Sequence, residues 1–394
     1  MKKNLFAAFA ASLLAAGCQK TEVYQPANSG EKMTFSTEMK KITKAEGDGT
    51  TDETEEPDNQ GTTTPTTPTD GDSNLISQGF KVWAYADFPL DNVTNVDNET
   101  LIYDGMNGMS ITYNGGWKTP ENTQYYWPGT DKSLRFFAVS SASVQNMVVV
   151  PIHGIGNSAT PSMSIKAFTV NSEANNDLMV ADFRRQHQGQ DNRVVNLNFR
   201  HTLSKVEFKF KTTAVNGVLP TVFVQKLEVT GLHNKADLAV QLKGTYSPET
   251  LNNEVEFVWS NQTGGTPNVV SFTKTWGETA DGFPTNITPA TGETSASDGK
   301  ALKLTADAET FASWLMLPDA NVSEKLVTIT YVIGNRQFKT SFKLGGKKTN
   351  DVYQLSSWGV NQYITYTIDL SPNMISFNAS STDWTPKTDI GMNN

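Results

Sequence analysis

A strict two-residue alternation runs through residues 206–211, which read V-E-F-K-F-K. Successive side chains of a β-strand point to opposite faces of the sheet, so this period predicts a strand with one buried and one solvated face. Residues 33–39, M-T-F-S-T-E-M, alternate in the same way. The 3.6-residue spacing of a helix is limited to one candidate short turn at residues 310–315. The chain is therefore predicted to fold through strands.

Short runs of strand length recur along the rest of the chain, with Gly, Pro and Asn between them. Many short strands separated by turn residues are typical of β-sandwiches. We predict an all-β fold of two tandem sandwiches, with a boundary at Asp191 and Asn192. The further predicted strands are residues 80–85, 110–113, 134–139, 147–150, 194–199, 222–229, 255–259, 326–332, 338–344, 364–370 and 374–379.

The N-terminus has the layout of a bacterial lipoprotein signal, residues 1–18. Lys2 and Lys3 precede an apolar segment at residues 5–16 that is too short to span a bilayer, and small residues lead to Cys18. Cys18 is the one cysteine of the chain, and we predict that it is lipidated. The alternative is an ordinary secretory signal that is cut nearby.

A removable segment is predicted at residues 19–44. The alternating strand at residues 33–39 is followed by a basic cluster, Lys40, Lys41 and Lys44. Residues 45–74 are then rich in Thr, Pro, Gly, Asp and Glu and contain no Lys or Arg, which favours disorder, and we assign residues 45–78 to an acidic linker. Basic residues on such accessible chain are open to proteolysis.

Charge and residue chemistry exclude several function classes. The formal net charge of -9 argues against nucleic acid as a partner. A single cysteine allows no disulfide within the chain, and the four histidines stand apart from one another at spacings that fit no zinc motif. We predict no catalytic, cofactor or metal site, so the protein is not expected to be an enzyme. A second hypothesis is glycan binding, since Trp117, Tyr125, Tyr126 and Trp127 could stack on sugars.

Several motifs in a fixed order resemble the fimbrillin family of Bacteroidetes-type pilins, over nearly the whole chain. The motifs are G-F-K-V-W-A-Y at 79–85, G-M-S-I-T-Y-N-G-G-W at 108–117, Y-Y-W-P at 125–128, L-R-F-F-A-V at 134–139, D-L-M-V-A at 177–181 and F-R-H-T-L-S-K-V-E-F at 199–208.

The resemblance implies two transthyretin-like β-sandwich domains, which we assign to residues 79–192 and 193–394. It also implies export as a lipoprotein and cutting by a trypsin-like protease after the first strand, at Lys44 and Ala45 in this sequence. The removed strand would carry Met33, Phe35 and Met39. If all three are fully buried, their removal forfeits roughly 5–9 kcal/mol of apolar transfer free energy.

The emptied groove is then filled, in such a family, by a C-terminal strand of another subunit. Here the donor arm would be residues 371–394, with Met374, Ile375 and Phe377 as its apolar residues. The implied partners are other copies of this chain or related pilin subunits, the outer membrane through the lipid of the precursor, and a host or glycan receptor. Alternatives are a pilus anchor subunit that stays uncut and a monomeric, lipid-anchored glycan-binding protein.

Overall fold

The computed structural model describes residues 31–39, 73–86, 101–102, 108–121, 123–129, 132–140, 148–152, 162–173, 177–245, 251–264, 269–293, 299–322, 324–344, 355–372 and 374–384. The first twelve strands of these residues are β1 Thr34–Met39, β2 Phe80–Ala86, β3 Leu101–Ile102, β4 Met109–Tyr113, β5 Trp117–Lys118, β6 Ser133–Ser140, β7 Val148–Ile152, β8 Ser162–Thr169, β9 Met179–Ala181, β10 Phe183–His187, β11 Val194–His201 and β12 Ser204–Lys211.

The remaining strands are β13 Val222–Leu232, β14 Lys235–Leu242, β15 Asn252–Asn253, β16 Val255–Thr263, β17 Val270–Thr275, β18 Leu302–Lys303, β19 Glu309–Met316, β20 Leu326–Ile333, β21 Arg336–Lys343, β22 Gln362–Ser371 and β23 Met374–Asp383. Two short helical elements accompany them, α1 Ser73–Gln78 and a 3-10 turn at Asp191–Arg193. The prediction of an all-β fold is confirmed. No helix in these ranges has the length and apolar character that crossing a bilayer requires.

Two local predictions were wrong. Residues 310–315, considered as a helical turn, lie inside β19, which pairs antiparallel with β12. The last six residues assigned to the disordered linker form α1 instead. This helix is held because Leu75 is fully buried and its carbonyl accepts a 2.7 Å hydrogen bond from the backbone N–H of Gly79.

The first sheet has the order β1-β11-β9-β6-β2-β4-β5. Strands β10 and β15 extend it beside β6, and β3 pairs with β2. Every described side chain of β6 is buried, because the sheet is covered on both faces. Phe136 lies in the core on one face, where it joins Phe80 and Phe199, and Phe137 lies in the core on the other.

Three smaller sheets complete the described structure, in the orders β16-β14-β8-β7, β19-β12-β22-β23 and β17-β13-β20-β21, with β18 beside β13. They enclose the largest core, in which Phe208, Trp314 and Tyr366 are buried. In β12 the apolar face predicted from alternation is buried, since Val206, Phe208 and Phe210 are all inaccessible to solvent.

Strand pairing crosses the boundary predicted at Asn192. Strand β11 follows that residue and pairs with β9 and β1, which precede it. Strands β7 and β8 precede it and share a sheet with β14 and β16, which follow. A buried ion pair also crosses, at 2.6 Å between Arg200 Nη2 and Asp182 Oδ1. The division into two domains stays a prediction.

Candidate functional site

The first strand lies in a slot of the first sheet. Strand β1 pairs in parallel with β11, so that Phe35 stands opposite Val195 and Thr37 opposite Leu197. On its other side lies the short strand β5, which contacts β1 through side chains. Both neighbours come later in the chain, and residues 40–72 connect β1 to α1. A cut within that connection would leave β1 held by non-covalent contacts.

Apolar residues of β1, together with Met33 directly before it, complete the core of the first sheet. Met33 and Phe35 are 4% and 7% exposed, and the ring of Phe35 meets Phe80 edge-on with centroids 6.3 Å apart. Met39 is half-buried and packs against the same core. These two buried side chains, at about 1.5–3 kcal/mol each, account for most of the apolar contribution of residues 33–39.

The chain entering β1 is held by backbone hydrogen bonds. The N–H of Met33 donates to the carbonyl of Tyr125 at 2.8 Å, and the N–H of Trp127 donates to the carbonyl of Glu31 at 2.9 Å. The side chains of Tyr125 and Trp127 are buried at 3% and 1% exposure. These two rings of the proposed sugar platform are thus part of the core beneath β1 and offer no open face for stacking.

Polar contacts hold the rest of β1. The indole Nε1 of Trp117 donates a 3.0 Å hydrogen bond to Thr37 Oγ1. On the opposite side Asn196 Nδ2 donates to Glu38 Oε1 at 2.9 Å, and Arg193 lies 2.6 Å from Glu31. The sequence predicted Trp117 as a residue that could stack on sugars, and this contact was missed. Since 80 residues separate Trp117 from Thr37, nothing in the local pattern could have revealed it.

The other predicted site residues fall in two groups. Cys18, Lys44 and Ala45 lie outside the described residues. Met374, Ile375 and Phe377 lie in β23, which pairs antiparallel with β22 along its full ten residues. The predicted donor strand is therefore at the edge of its own chain's sheet, far along the sequence from β1 and in a different sheet.

Contacts with the rest of the chain hold β23 near both of its described ends. Ile375 and Ala379 pack against the main core, and in register Phe377 stands opposite the buried Ile368. Just past the strand, the backbone N–H of Trp384 donates to the carbonyl of Asn361 at 2.8 Å.

The ring of Trp384 packs across the junction between the first sheet and the sheet that carries β23. It stacks on the imidazole of His201 with centroids 3.6 Å apart and an interplanar angle of 8°. His201 is buried, and its Nδ1 lies 2.8 Å from Asp177 Oδ2. The ammonium of Lys205 lies 5.8 Å from the centroid of the indole. Nothing in the sequence indicates this stacking contact, because His201 and Trp384 lie far apart along the chain.

The outer face of the sheet that carries β23 is polar and internally satisfied. Burial acts to raise the pKa of Glu207, but hydrogen bonds from Thr310, Tyr363 and Lys209 outweigh it, so this pKa is lowered. Burial, with the charge of Glu207, raises the pKa of Tyr363 above its usual value. Both groups keep their ordinary charge at neutral pH, and their mutual bonding gives this face a structural role.

A metal site is not apparent within the described ranges, where no three or more His, Cys, Asp or Glu residues gather closely enough to hold an ion.

Replacing Phe35 with Ala should lower the free energy of unfolding by about 3–5 kcal/mol, because a buried aromatic side chain leaves a cavity against Phe80. Urea denaturation followed by tryptophan fluorescence measures this. Thr34→Ala is the matched control, since Thr34 is an exposed neighbour on the same strand and its change should stay within about 0.5 kcal/mol. Equal effects of the two changes would contradict the buried position of Phe35.

Comparison with known proteins gives one family. A family model described as fimbrillin-like matches residues 76–384, which is most of the chain and begins after β1. A search of curated proteins finds no match.

Two solved structures illustrate the likeness. A fimbrial protein from Bacteroides vulgatus is 17% identical, with 79% of this chain and 95% of that chain covered and a TM-score of 0.47. The tip fimbrial protein Mfa3 from Porphyromonas gingivalis, with a C-terminal truncation, is 11% identical, with 79% and 96% covered and a TM-score of 0.27.

Proposed function

This chain belongs to the fimbrillin-like family, and from that membership we propose that it is a subunit whose first strand is cut away and replaced by a strand of another subunit. The family makes it a structural fimbrial protein of the cell surface and not an enzyme. In the proposal the precursor is exported as a lipoprotein through Cys18 and is tethered to the outer membrane. A protease then cuts between Lys44 and Ala45.

The observation that carries this proposal is the placing of β1. It is the first described strand of the chain, it fills a slot between β11 and β5, and its connection to the rest passes through residues 40–72. A cut there divides no other described strand. Its departure would uncover the core at Phe80 and leave unpaired the backbone groups of β11 that face β1, which favours the addition of a new strand.

The proposed replacement is the C-terminal arm of a neighbouring subunit, residues 371–394. Its strand β23 lies at a sheet edge, with β22 as its pairing neighbour, and Pro372 follows the last residue of β22. A strand at a sheet edge is hydrogen-bonded to a neighbouring strand on one side, so its departure breaks a single backbone ladder. Passing such an arm from each subunit to the next makes a head-to-tail contact, which produces a filament and not a closed dimer.

The mature N-terminus of subunits in shed fibres tests the proposal. We expect N-terminal sequencing of gel-purified fibre subunits to give a start at Ala45. Fibre subunits that begin at a lipidated Cys18 would contradict strand removal and would favour an uncut anchor subunit.

Cys18→Ala should abolish lipidation and reduce surface delivery, because this residue is the one thiol that an acyl-transfer system could modify. Cells grown with a clickable fatty-acid analogue measure the label on the purified chain. Cys18→Ser, which keeps the size of the side chain, should lose label equally. Undiminished label on either variant would contradict Cys18 as the lipid site.

A further inference from the structure

The two sides of the β1 slot hold the strand by different means. Strand β11 pairs with β1 through a parallel backbone ladder from Thr34 to Met39. Such a ladder repeats every two residues, so a strand that slides by two residues keeps both its backbone pairing and its buried face. The ladder alone therefore leaves the register of the strand open.

The β5 side supplies a contact that does not repeat. Trp117 Nε1 donates to Thr37 Oγ1 at 3.0 Å. The indole is held in place by Phe80 and Tyr113, whose ring centroids lie 4.8 and 5.2 Å from its own. An indole N–H can donate and cannot accept, so a strand in this slot satisfies it with an acceptor at one position.

A slide of two residues would break this match. It would bring Phe35 or Met39 to the place of Thr37, and neither side chain is a good acceptor. It would also withdraw the aromatic ring from its edge-on contact with Phe80. One apolar pocket and one indole N–H, two residues apart along the strand, thus define a single register.

We infer that Trp117 determines which strands the slot accepts: it selects those with a hydroxyl, amide or carboxylate side chain two residues beyond the aromatic residue that fills the Phe35 position. This inference rests on the proposed strand exchange and names the chemistry of the incoming strand. The preferred partner reads large-x-aromatic-x-Ser/Thr in the direction of β1.

The chain's own C-terminal strand meets this requirement incompletely. With Phe377 in the place of Phe35, Ile375 takes the place of Met33, and Ala379 takes the place of Thr37. The methyl group of Ala379 accepts no hydrogen bond. A strand of a related subunit with Ser or Thr at this point is therefore a better occupant than β23 of an identical copy.

Strand replacement in a nicked chain tests the inference. A specific protease site placed within residues 41–46 of the full chain is cut after folding, and the natural strand is displaced by fluorescent peptides of residues 30–40. Release is followed by anisotropy. The Thr37→Val peptide should leave roughly five- to tenfold faster than the natural peptide, because it keeps the shape and loses the acceptor. The Thr37→Ser peptide should behave like the natural one.

The Trp117→Phe host chain is the matched control. The Thr37→Val and natural peptides should leave this host at the same rate, since the indole N–H that donates to Thr37 is gone. A peptide of residues 373–384 carrying Ala379→Thr should bind the unchanged host tighter than its natural form. Equal release of the Val and Thr peptides from the unchanged host, the same ratio in both hosts, or no gain from Ala379→Thr would overturn the inference.

A second measurement separates this inference from the proposed function. If nicked β1 never exchanges, strand removal loses its support, but the uncut chain still tests the contact. Urea midpoints of the unchanged chain, Thr37→Val, Trp117→Phe and the double variant form a cycle. We expect Thr37→Val to lower the midpoint when Trp117 is present and to leave it unchanged in the chain that carries Trp117→Phe. Additive shifts would overturn the role of Trp117.

Discussion

Replacing Lys40, Lys41 and Lys44 together with Gln should abolish fibres while leaving a folded, exported subunit. Lys40 directly follows the last residue of β1, so all three lysines lie on the connection whose cutting would free the strand. All three are changed at once because neighbouring lysines could substitute for one another as cleavage sites. Electron microscopy counts the fibres on cells, and an immunoblot shows whether the chain keeps its precursor length.

The matched control removes three positive charges elsewhere. Lys235, Lys274 and Lys303 are exposed and lie on strands away from β1, so their joint replacement by Gln should leave fibres at normal number. Normal fibres from the Lys40, Lys41 and Lys44 variant would contradict cleavage at this place as the trigger of assembly.

The size of the expected effect follows from what β1 contributes. Phe35 of β1 and Met33 directly before it are buried, so losing them exposes apolar surface worth roughly 3–6 kcal/mol. A whole domain is stable by only about 5–15 kcal/mol. A subunit with an empty slot is therefore close to the limit of stability until another strand fills it. In the proposed mechanism this margin would couple cleavage to refilling, since the uncut chain keeps its slot occupied and gains nothing from a donor strand.

Local alternation was enough to predict strands whose faces differ strongly. Strand β1 and strand β12 are found where the two-residue period placed them. Strand β14 also alternates, with Ala236, Leu238 and Val240 buried, yet it was not predicted, because Lys, Ala and Asp are weak strand formers. It forms because β8 and β16 pair with it on both sides.

The sequence of a strand does not reveal which other strands it pairs with. Residues 310–315 have apolar residues at a spacing that also fits a helical turn, and their strand conformation follows from pairing with β12, where Ala312 stands opposite Phe208. The contacts of β1 in its slot show the same limit of prediction from sequence. The alternation of residues 33–39 predicts that Met33 and Phe35 are buried, whereas the contact of β1 with Trp117 depends on the order of strands in the sheet.

Removing residues 371–394 should prevent incorporation into fibres, since these residues are the proposed donor arm. The deletion takes away one edge strand and the last residue of β22, and β22 keeps its parallel ladder with β12. It also removes Trp384 from His201, so we expect the truncated chain to be exported and cut but less stable. Resistance to a non-specific protease reports whether the purified chain is folded, and electron microscopy reports fibres.

A pair of point changes distinguishes loss of donation from loss of folding. Phe377→Asp places a charge at the position that would enter the apolar slot of the next subunit, where burying it unpaired is costly. Asn378→Asp adds the same charge one residue later, at an exposed position that faces the other way along the strand. We expect few or no fibres from Phe377→Asp and normal fibres from Asn378→Asp, each compared at equal amounts of folded chain on the surface.

Because the register of β23 sets Phe377 opposite the buried Ile368, the surface amount of folded Phe377→Asp chain must be measured first. Fibres of normal length from the deletion variant, or from folded Phe377→Asp, would show that donation does not run through this arm.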